Sequence, residues 1–201
     1  MTLSYIDLDY IPKKDELVTE YYVEPADDLK LEFVSEQIAT ESSIGTWTTI
    51  STMSPDIAKK LKPHVFEIDK SRNIIKIAYP MDLFEKGSIP QLMSSITGNI
   101  YGMKILKNLR LLDVHFPKKY IKSFPGPQYG VKGVRKILGV KDRPLLGTIV
   151  KPKVGLSSSE HAEVAYKAWT GGLNVVKDDE NLTSMSFNKF KKRMDLNIKI
   201  R

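Results

Sequence analysis

Two charged clusters end two apolar runs in the last third of the chain. Leu145–Val150 leads into Lys151-Pro152-Lys153, and Leu173–Val176 leads into Lys177-Asp178-Asp179-Glu180-Asn181. A proline biases the residue before it to extended backbone, so Lys151 and Lys153, two apart, are expected on the same side of the chain. Two ammonium groups there suit a phosphate or an enolate intermediate. Asp179 and Glu180 carry hard oxygen donors of the kind Mg²⁺ accepts. Spacing alone favours the plainer reading, two polar loops between strand and helix.

The surrounding pattern indicates how such clusters would be positioned. Continuous apolar runs are what parallel strands buried on both faces require, and Ser157–Gly172 lies between these two as a helix. Ser157 with Glu160 three residues on makes a capping box, Val164, Ala165, Ala168 and Trp169 form the inward stripe, and Gly171-Gly172 ends the helix. This is a βαβ unit. In parallel α/β architectures functional residues collect at the carboxyl ends of strands, where both clusters sit.

Upstream the pattern differs. Leu17–Pro25 reads as a strand, Ala26–Thr40 as a helix, Thr46–Ser51 as β-prone and Asp56–Lys62 as a short helix. His64–Ile68 and Asn73–Tyr79 flank a polar turn as a hairpin. A helix capped by Ser88 runs to Ile96, and Arg110–Phe116 is a further strand. Several connections are too short for parallel crossovers. Residues 1–125 therefore read as an α+β domain, an antiparallel sheet covered by helices in a ferredoxin-like arrangement. Breakers at Pro125, Gly126 and Pro127 place a boundary there, with residues 126–201 as a second region.

Composition excludes several classes. With 41% hydrophobic residues the chain has material for a core, and its apolar runs fall far short of the ~20 residues of a membrane span. The absence of cysteine removes disulfide scaffolds and thiolate metal sites, and with no signal peptide apparent at the start the cytoplasm is the expected compartment. The net charge of +7 is concentrated at residues 182–201, which hold six basic side chains and one acid. The rest is nearly neutral, so no nucleic-acid partner is expected.

The runs Gly147-Thr148-Ile149-Val150-Lys151-Pro152-Lys153-Val154-Gly155-Leu156 and Gly171-Gly172-Leu173-Asn174-Val175-Val176-Lys177-Asp178-Asp179-Glu180-Asn181 resemble the signature of the ribulose-bisphosphate carboxylase (RuBisCO) large chain. The resemblance extends through Glu41-Ser42-Ser43-Ile44-Gly45-Thr46-Trp47-Thr48-Thr49, Ile77-Ala78-Tyr79-Pro80, Ser95-Ile96-Thr97-Gly98-Asn99 and Arg143-Pro144-Leu145-Leu146-Gly147. In wording it is closest to archaeal, methanogen-type form III chains.

The resemblance implies a ferredoxin-like domain followed by the first two βα units of an incomplete TIM (β/α)8 barrel. It implies that CO₂ and water are added to ribulose 1,5-bisphosphate through a Mg²⁺-stabilised enediolate to give two 3-phosphoglycerates, in an archaeal nucleotide-salvage context. Lys177 would carry a carbamate formed with a second CO₂ and hold Mg²⁺ with Asp179 and Glu180. Lys151 would be the acid/base lysine and Lys153 a substrate and loop contact. Thr46 and Trp47 would bind one phosphate, Glu41 would position a mobile loop, and Asn99 would bond the substrate near the metal. Partner N-domains complete each other's sites in this family, so a homodimer or an oligomer of dimers is implied.

Without the motif context Trp47 would read as core and Asn99 as a helix cap. His64, His115 and His161 match no family catalytic position and read as structural or surface residues, and Tyr166 and Trp169 as core or helix-face residues. Some features depart from the family pattern. Met185 and Ile149 replace polar residues of relatives, and Met194–Arg201 no longer reads like the family. A complete barrel needs ~250 residues, and the region beyond Gly126 accommodates about two units. A truncated gene, a frameshift or a partial sequence is the expectation, without the family's later histidine, second phosphate site and lid lysine. Two alternatives stand beside the carboxylase: a RuBisCO-like enolase, disfavoured by Thr46, Trp47 and Asn99, and a non-catalytic remnant.

Overall fold

The computed structural model describes residues 4–46, 48 and 50–200. It divides into two compact units, Met1–Gly126 and Pro127–Arg201.

In the first unit β1 (Leu17–Pro25) alternates as a strand with one buried face must: Leu17, Thr19, Tyr21 and Val23 are fully buried, and the residues between them face outward, half-buried. The helix after it, α1, begins at Leu31 and ends at Glu41, five residues later than the apolar spacing predicts. Asp27 takes φ +49°, and the Ala26 N–H donates to Ile105 O at 2.9 Å, so tertiary bonding holds the 26–30 segment out of the helix. A short helix, α2 (Pro55–Leu61), starts at Ser54, whose hydroxyl accepts the Ile57 N–H.

The hairpin of β2 (His64–Asp69) and β3 (Ile74–Tyr79) forms where the polar turn predicts it. The Asp69 carboxylate accepts the backbone N–H groups of Ser71 and Arg72. Ser88 caps α3 (Ile89–Ile96), and β4 (Leu106–His115) starts four residues before the expected strand. The sheet is antiparallel throughout, in the order β2-β3-β1-β4. With helices between the outer pairs of strands, this is the β-α-β-β-α-β pattern. Val34 and Ile38 of α1 and Leu92 and Ile96 of α3 join Tyr21, Val23, Ile75 and Ile77 in one buried cluster. Each large apolar side chain buried there contributes about 1.5–3 kcal/mol. Ile6 bridges Val65 and covers part of the β2 edge. A four-residue helix, α4 (Lys118–Ile121), follows β4. Of the β-prone stretch at 46–51, the described residues Thr46, Thr48, Ile50 and Ser51 are irregular, and Trp47 and Thr49 lie outside the description.

The second unit contains α5 (Gly130–Leu138), β5 (Gly147–Ile149), α6 (Ser158–Thr170), β6 (Val175–Lys177) and α7 (Phe190–Ile200). The strands β5 and β6 pair in parallel, Ile149 opposite Lys177. The capping box of α6 forms as its sequence implies: Ser157 Oγ accepts the Glu160 N–H, and Glu160 Oε2 accepts the Ser157 N–H at 2.8 Å. Two expectations are corrected. The strands are not buried on both faces, since Ile149 is 39% and Val175 41% exposed; a two-stranded pair beside α6 leaves apolar surface without a covering layer among the described residues. The stripe that α6 buries is Ser158, His161, Ala162 and Ala165, with Val164, Ala168 and Trp169 at its margin and Tyr166 exposed. The buried stripe thus lies on nearly the same face but towards the N-terminal half of the helix, where Ser158 and His161 are buried with hydrogen-bond partners in Asn188 and Asp178. Among the described residues no helix is long and apolar enough to cross a membrane.

Candidate active site

The register of β5 against β6 brings the two charged clusters together. Lys151 Nζ donates to Asp179 Oδ2 at 2.8 Å, and Lys177 Nζ donates to Glu180 Oε2 at 2.6 Å. Lys153 Nζ lies 3.5 Å from Asn181 Oδ1. The Lys151 ammonium, with the Asn181 N–H bonded to the same carboxyl, holds Asp179 below the ordinary carboxylate range. Lys177 does the same to Glu180, and that pairing raises the Lys177 amine above an ordinary lysine. Only Asp179 of the four is buried, so the cluster forms an open rim.

The chain does not run on extended through Pro152; it bends over 151–155, where Gly155 adopts φ +111°. Even so, the side chains of Lys151 and Lys153 reach partners that are themselves two residues apart.

In the first unit the structure brings Glu41, the last residue of α1, to Asn99, which opens a short 3-10 turn after α3. Asn99 Nδ2 donates to Glu41 Oε1 at 3.2 Å. Glu41 Oε2 is buried without a hydrogen-bond partner among the described residues, an arrangement that favours a cationic donor as its complement. Thr46 is exposed in the loop after α1 and is not joined to that pair by a hydrogen bond among the described residues. The loop is pinned at Gly45, where a Cβ would lie 2.3 Å from Thr40 Cγ2 and 2.7 Å from the Tyr5 hydroxyl. Trp47, expected to share the phosphate contact, lies outside the described residues.

A hard divalent cation would find oxygen donors at Asp179 and Glu180. Among the described residues no group of three His, Cys, Asp or Glu side chains is placed to hold a metal. The donor set is completed only if Lys177, in contact with Glu180, becomes an oxygen donor, as a carbamate does. The residues present fit a Mg²⁺ ion on that condition.

Sequence reasoning passed over Asp178, His161, Asn188 and Arg193. The His161 Nε2–H donates to Asp178 Oδ1 at 2.8 Å and Arg193 Nε to Asp178 Oδ2 at 2.7 Å, while Arg193 is 1% exposed. The available signal was alternation, since a residue between two rim residues points away from the rim.

Comparison with known proteins gives the family of the chain. Residues 4–120 match the profile of the ribulose bisphosphate carboxylase large chain, N-terminal domain, and residues 130–200 that of its catalytic domain. The chain belongs to the ribulose bisphosphate carboxylase large-chain family. The family match runs through residue 200, so the departure expected from Met194 onward is corrected. The chain is 54% identical over 200 residues to a ribulose bisphosphate carboxylase of Methanosarcina acetivorans, covering 100% of this chain and 47% of that protein. It is 55% identical over 201 residues to one of Pyrococcus furiosus, covering 99% and 47%. The structure resembles an octameric Rubisco of Pyrococcus horikoshii, solved with sulfate, at TM-score 0.82 and 51% identity, over 98% of this chain and 46% of that one. It resembles a dimeric archaeal Rubisco of Hyperthermus butylicus at TM-score 0.82 and 45% identity, over 98% and 46%. The chain thus spans about half the length of the relatives it matches.

Proposed function

We propose that this chain provides the ferredoxin-like N-terminal domain, residues 1–125, and the first two βα units of a (β/α)8 barrel, residues 126–201, of a ribulose 1,5-bisphosphate carboxylase. The reaction adds CO₂ and water to ribulose 1,5-bisphosphate to give two 3-phosphoglycerates. The observation that carries the reading is the paired rim, Lys151 with Asp179 and Lys177 with Glu180, at the carboxyl ends of two parallel strands.

In this reading Lys177 bears the carbamate and holds Mg²⁺ with Asp179 and Glu180. When bound, Mg²⁺ supplies positive charge that stabilises oxyanions of the substrate. Lys151, released from Asp179, moves a proton at its Nζ. Lys153 contacts the substrate from the same loop. Thr46 and Trp47 take one phosphate through hydroxyl and backbone groups, Asn99 donates to a substrate oxygen, and Glu41 holds a cationic loop residue through its buried oxygen. Glu41, Thr46, Trp47 and Asn99 serve the site of a partner copy, a reading supported by the dimeric and octameric states of the solved relatives. A cytoplasmic setting rests on the cysteine-free composition, and a part in nucleotide salvage on the family resemblance.

The 201-residue chain by itself does not turn over the substrate in this proposal, because it spans 47% of its relatives. Removal of even one electrostatic stabiliser commonly costs ~10²–10³ in rate. The test measures incorporation of labelled CO₂ with Mg²⁺ and ribulose 1,5-bisphosphate. The chain is assayed alone and mixed with a full-length homologue disabled in its N-domain loop. Product is expected in the mixture only. Product from the chain alone overturns the inactivity, and no product in the mixture overturns the role given to the N-domain.

A further inference from the structure

Asp178 stands between two residues of the proposed cation site, Lys177 and Asp179, yet its carboxylate turns to different partners. Asp179 pairs with Lys151 and Lys177 with Glu180, whereas the two Asp178 oxygens are taken separately by His161 of α6 and Arg193 of α7. Both donors are buried, His161 at 2% and Arg193 at 1% exposure. A carboxylate held at both oxygens by two rigid elements has little rotational freedom, and a buried guanidinium strongly resists losing its anion.

The hold extends beyond the pair. Arg193 Nη1 also donates to Asn188 Oδ1 at 2.9 Å, and both Nη atoms reach Thr183 O at 3.3 Å. Fully buried Asn188 accepts from the Ser158 hydroxyl and donates to Leu156 O at 2.9 Å. One carboxylate thereby fastens the segment after β5, the segment after β6 and two helices. A generic need to neutralise Arg193 would be met by an acid anywhere along its helix; here the acid is the residue between the two rim residues.

We propose that Asp178, clamped by His161 and Arg193, is a positioning residue that fixes how Lys177 and Asp179 project at the rim. Its consequence for cation affinity rests on the proposed function; its consequence for Lys177 itself does not.

The experiment uses the 201-residue chain as wild type, His161→Phe, His161→Gln, Asp178→Asn and Asp179→Asn. Three quantities are read: the reductive-methylation rate of each lysine by peptide mass spectrometry, terbium(III) luminescence with bicarbonate, and thermal unfolding by circular dichroism. Glutamine places an amide N–H near the position of His161 Nε2, so His161→Gln should keep the Lys177 rate of the wild type. His161→Phe and Asp178→Asn should raise that rate several-fold, leave Lys167 on α6 unchanged, and weaken terbium binding about 10–100-fold.

Cooperatively folded His161→Phe and Asp178→Asn chains with an unchanged Lys177 rate overturn the proposal. So does a His161→Gln chain as impaired as His161→Phe, which would mark a packing role alone. Where His161→Phe does not unfold cooperatively, the nearly isosteric Asp178→Asn decides. Terbium binding that is indifferent to Asp179→Asn overturns the cation-site reading and the affinity claim with it, whereas the lysine rates still decide the positioning of Lys177.

Discussion

Lys151 reaches across from the segment after β5 to donate to Asp179 beyond β6, at 2.8 Å, with the carboxylate buried and the ammonium largely in solvent. The pairing gives that rim a pH signature. The folded-state pKa of Asp179 lies below its unfolded value, so the stabilisation is fully present above the unfolded pKa and is lost as pH falls through the folded one. A Lys151→Met chain should therefore be less stable than wild type near neutrality, with the difference disappearing on acidification below the usual carboxylate range of ~4. Urea unfolding of both chains across that range checks it. A difference that grows on acidification would contradict the pairing.

The second ion pair has the opposite sign. Glu180 raises the Lys177 amine, so the neutral amine that can react with CO₂ is scarcer at a given pH than for an ordinary lysine. In Glu180→Gln the amine should lose its proton at lower pH, and the midpoint for methylation or carbamylation of Lys177 should move downward. Peptide mass spectrometry and ¹³C NMR with labelled bicarbonate read that midpoint. An unchanged or higher midpoint would mean that the pairing does not govern the amine in solution.

How much of this was legible in the sequence depended on whether the signal was local. The β1 strand, the Ser88 and Ser157 caps and the β2–β3 turn are set by neighbouring residues, and all form as read. The start of α1 was misplaced because a long-range bond to Ile105 overrides local spacing. The motifs that flagged Lys151, Lys177, Asp179 and Glu180 are contiguous. The Asp178 clamp joins residues 15 and 17 positions away through hydrogen bonds, and neither apolar periodicity nor motif spacing encodes which buried polar groups will meet. His161 was accordingly read as a structural or surface residue, and Arg193 as one of a basic terminal set.

Gly45 offers a packing test independent of any chemistry at the rim. A methyl group there overlaps Thr40 Cγ2 and the Tyr5 hydroxyl, and overpacking of this kind costs about 1–3 kcal/mol. Gly45→Ala should lower the urea midpoint accordingly. Adding Thr40→Ser, which removes Cγ2 while keeping a hydroxyl for the bond to Glu36 O, should restore part of the loss. A Gly45→Ala chain as stable as wild type would show that the loop relaxes away from α1.

Glu41 should separate stability from function. Its Oε1 accepts from Asn99, while its Oε2 is buried without a partner among the described residues. A buried carboxylate oxygen in that state is a net cost to the isolated chain. Glu41→Gln preserves the shape and the acceptor for Asn99 but removes the charge, so its thermal midpoint should be equal to or higher than that of wild type. If Glu41 holds a cationic loop residue of a partner's site, the same change should depress carboxylation in the mixture with an N-domain-disabled homologue by about 10²-fold or more, the scale of one lost electrostatic stabiliser. Stability and complementation are measured on the same preparation. A fall in both together would assign Glu41 to the fold, and full complementation by a stable Glu41→Gln chain would remove it from the site.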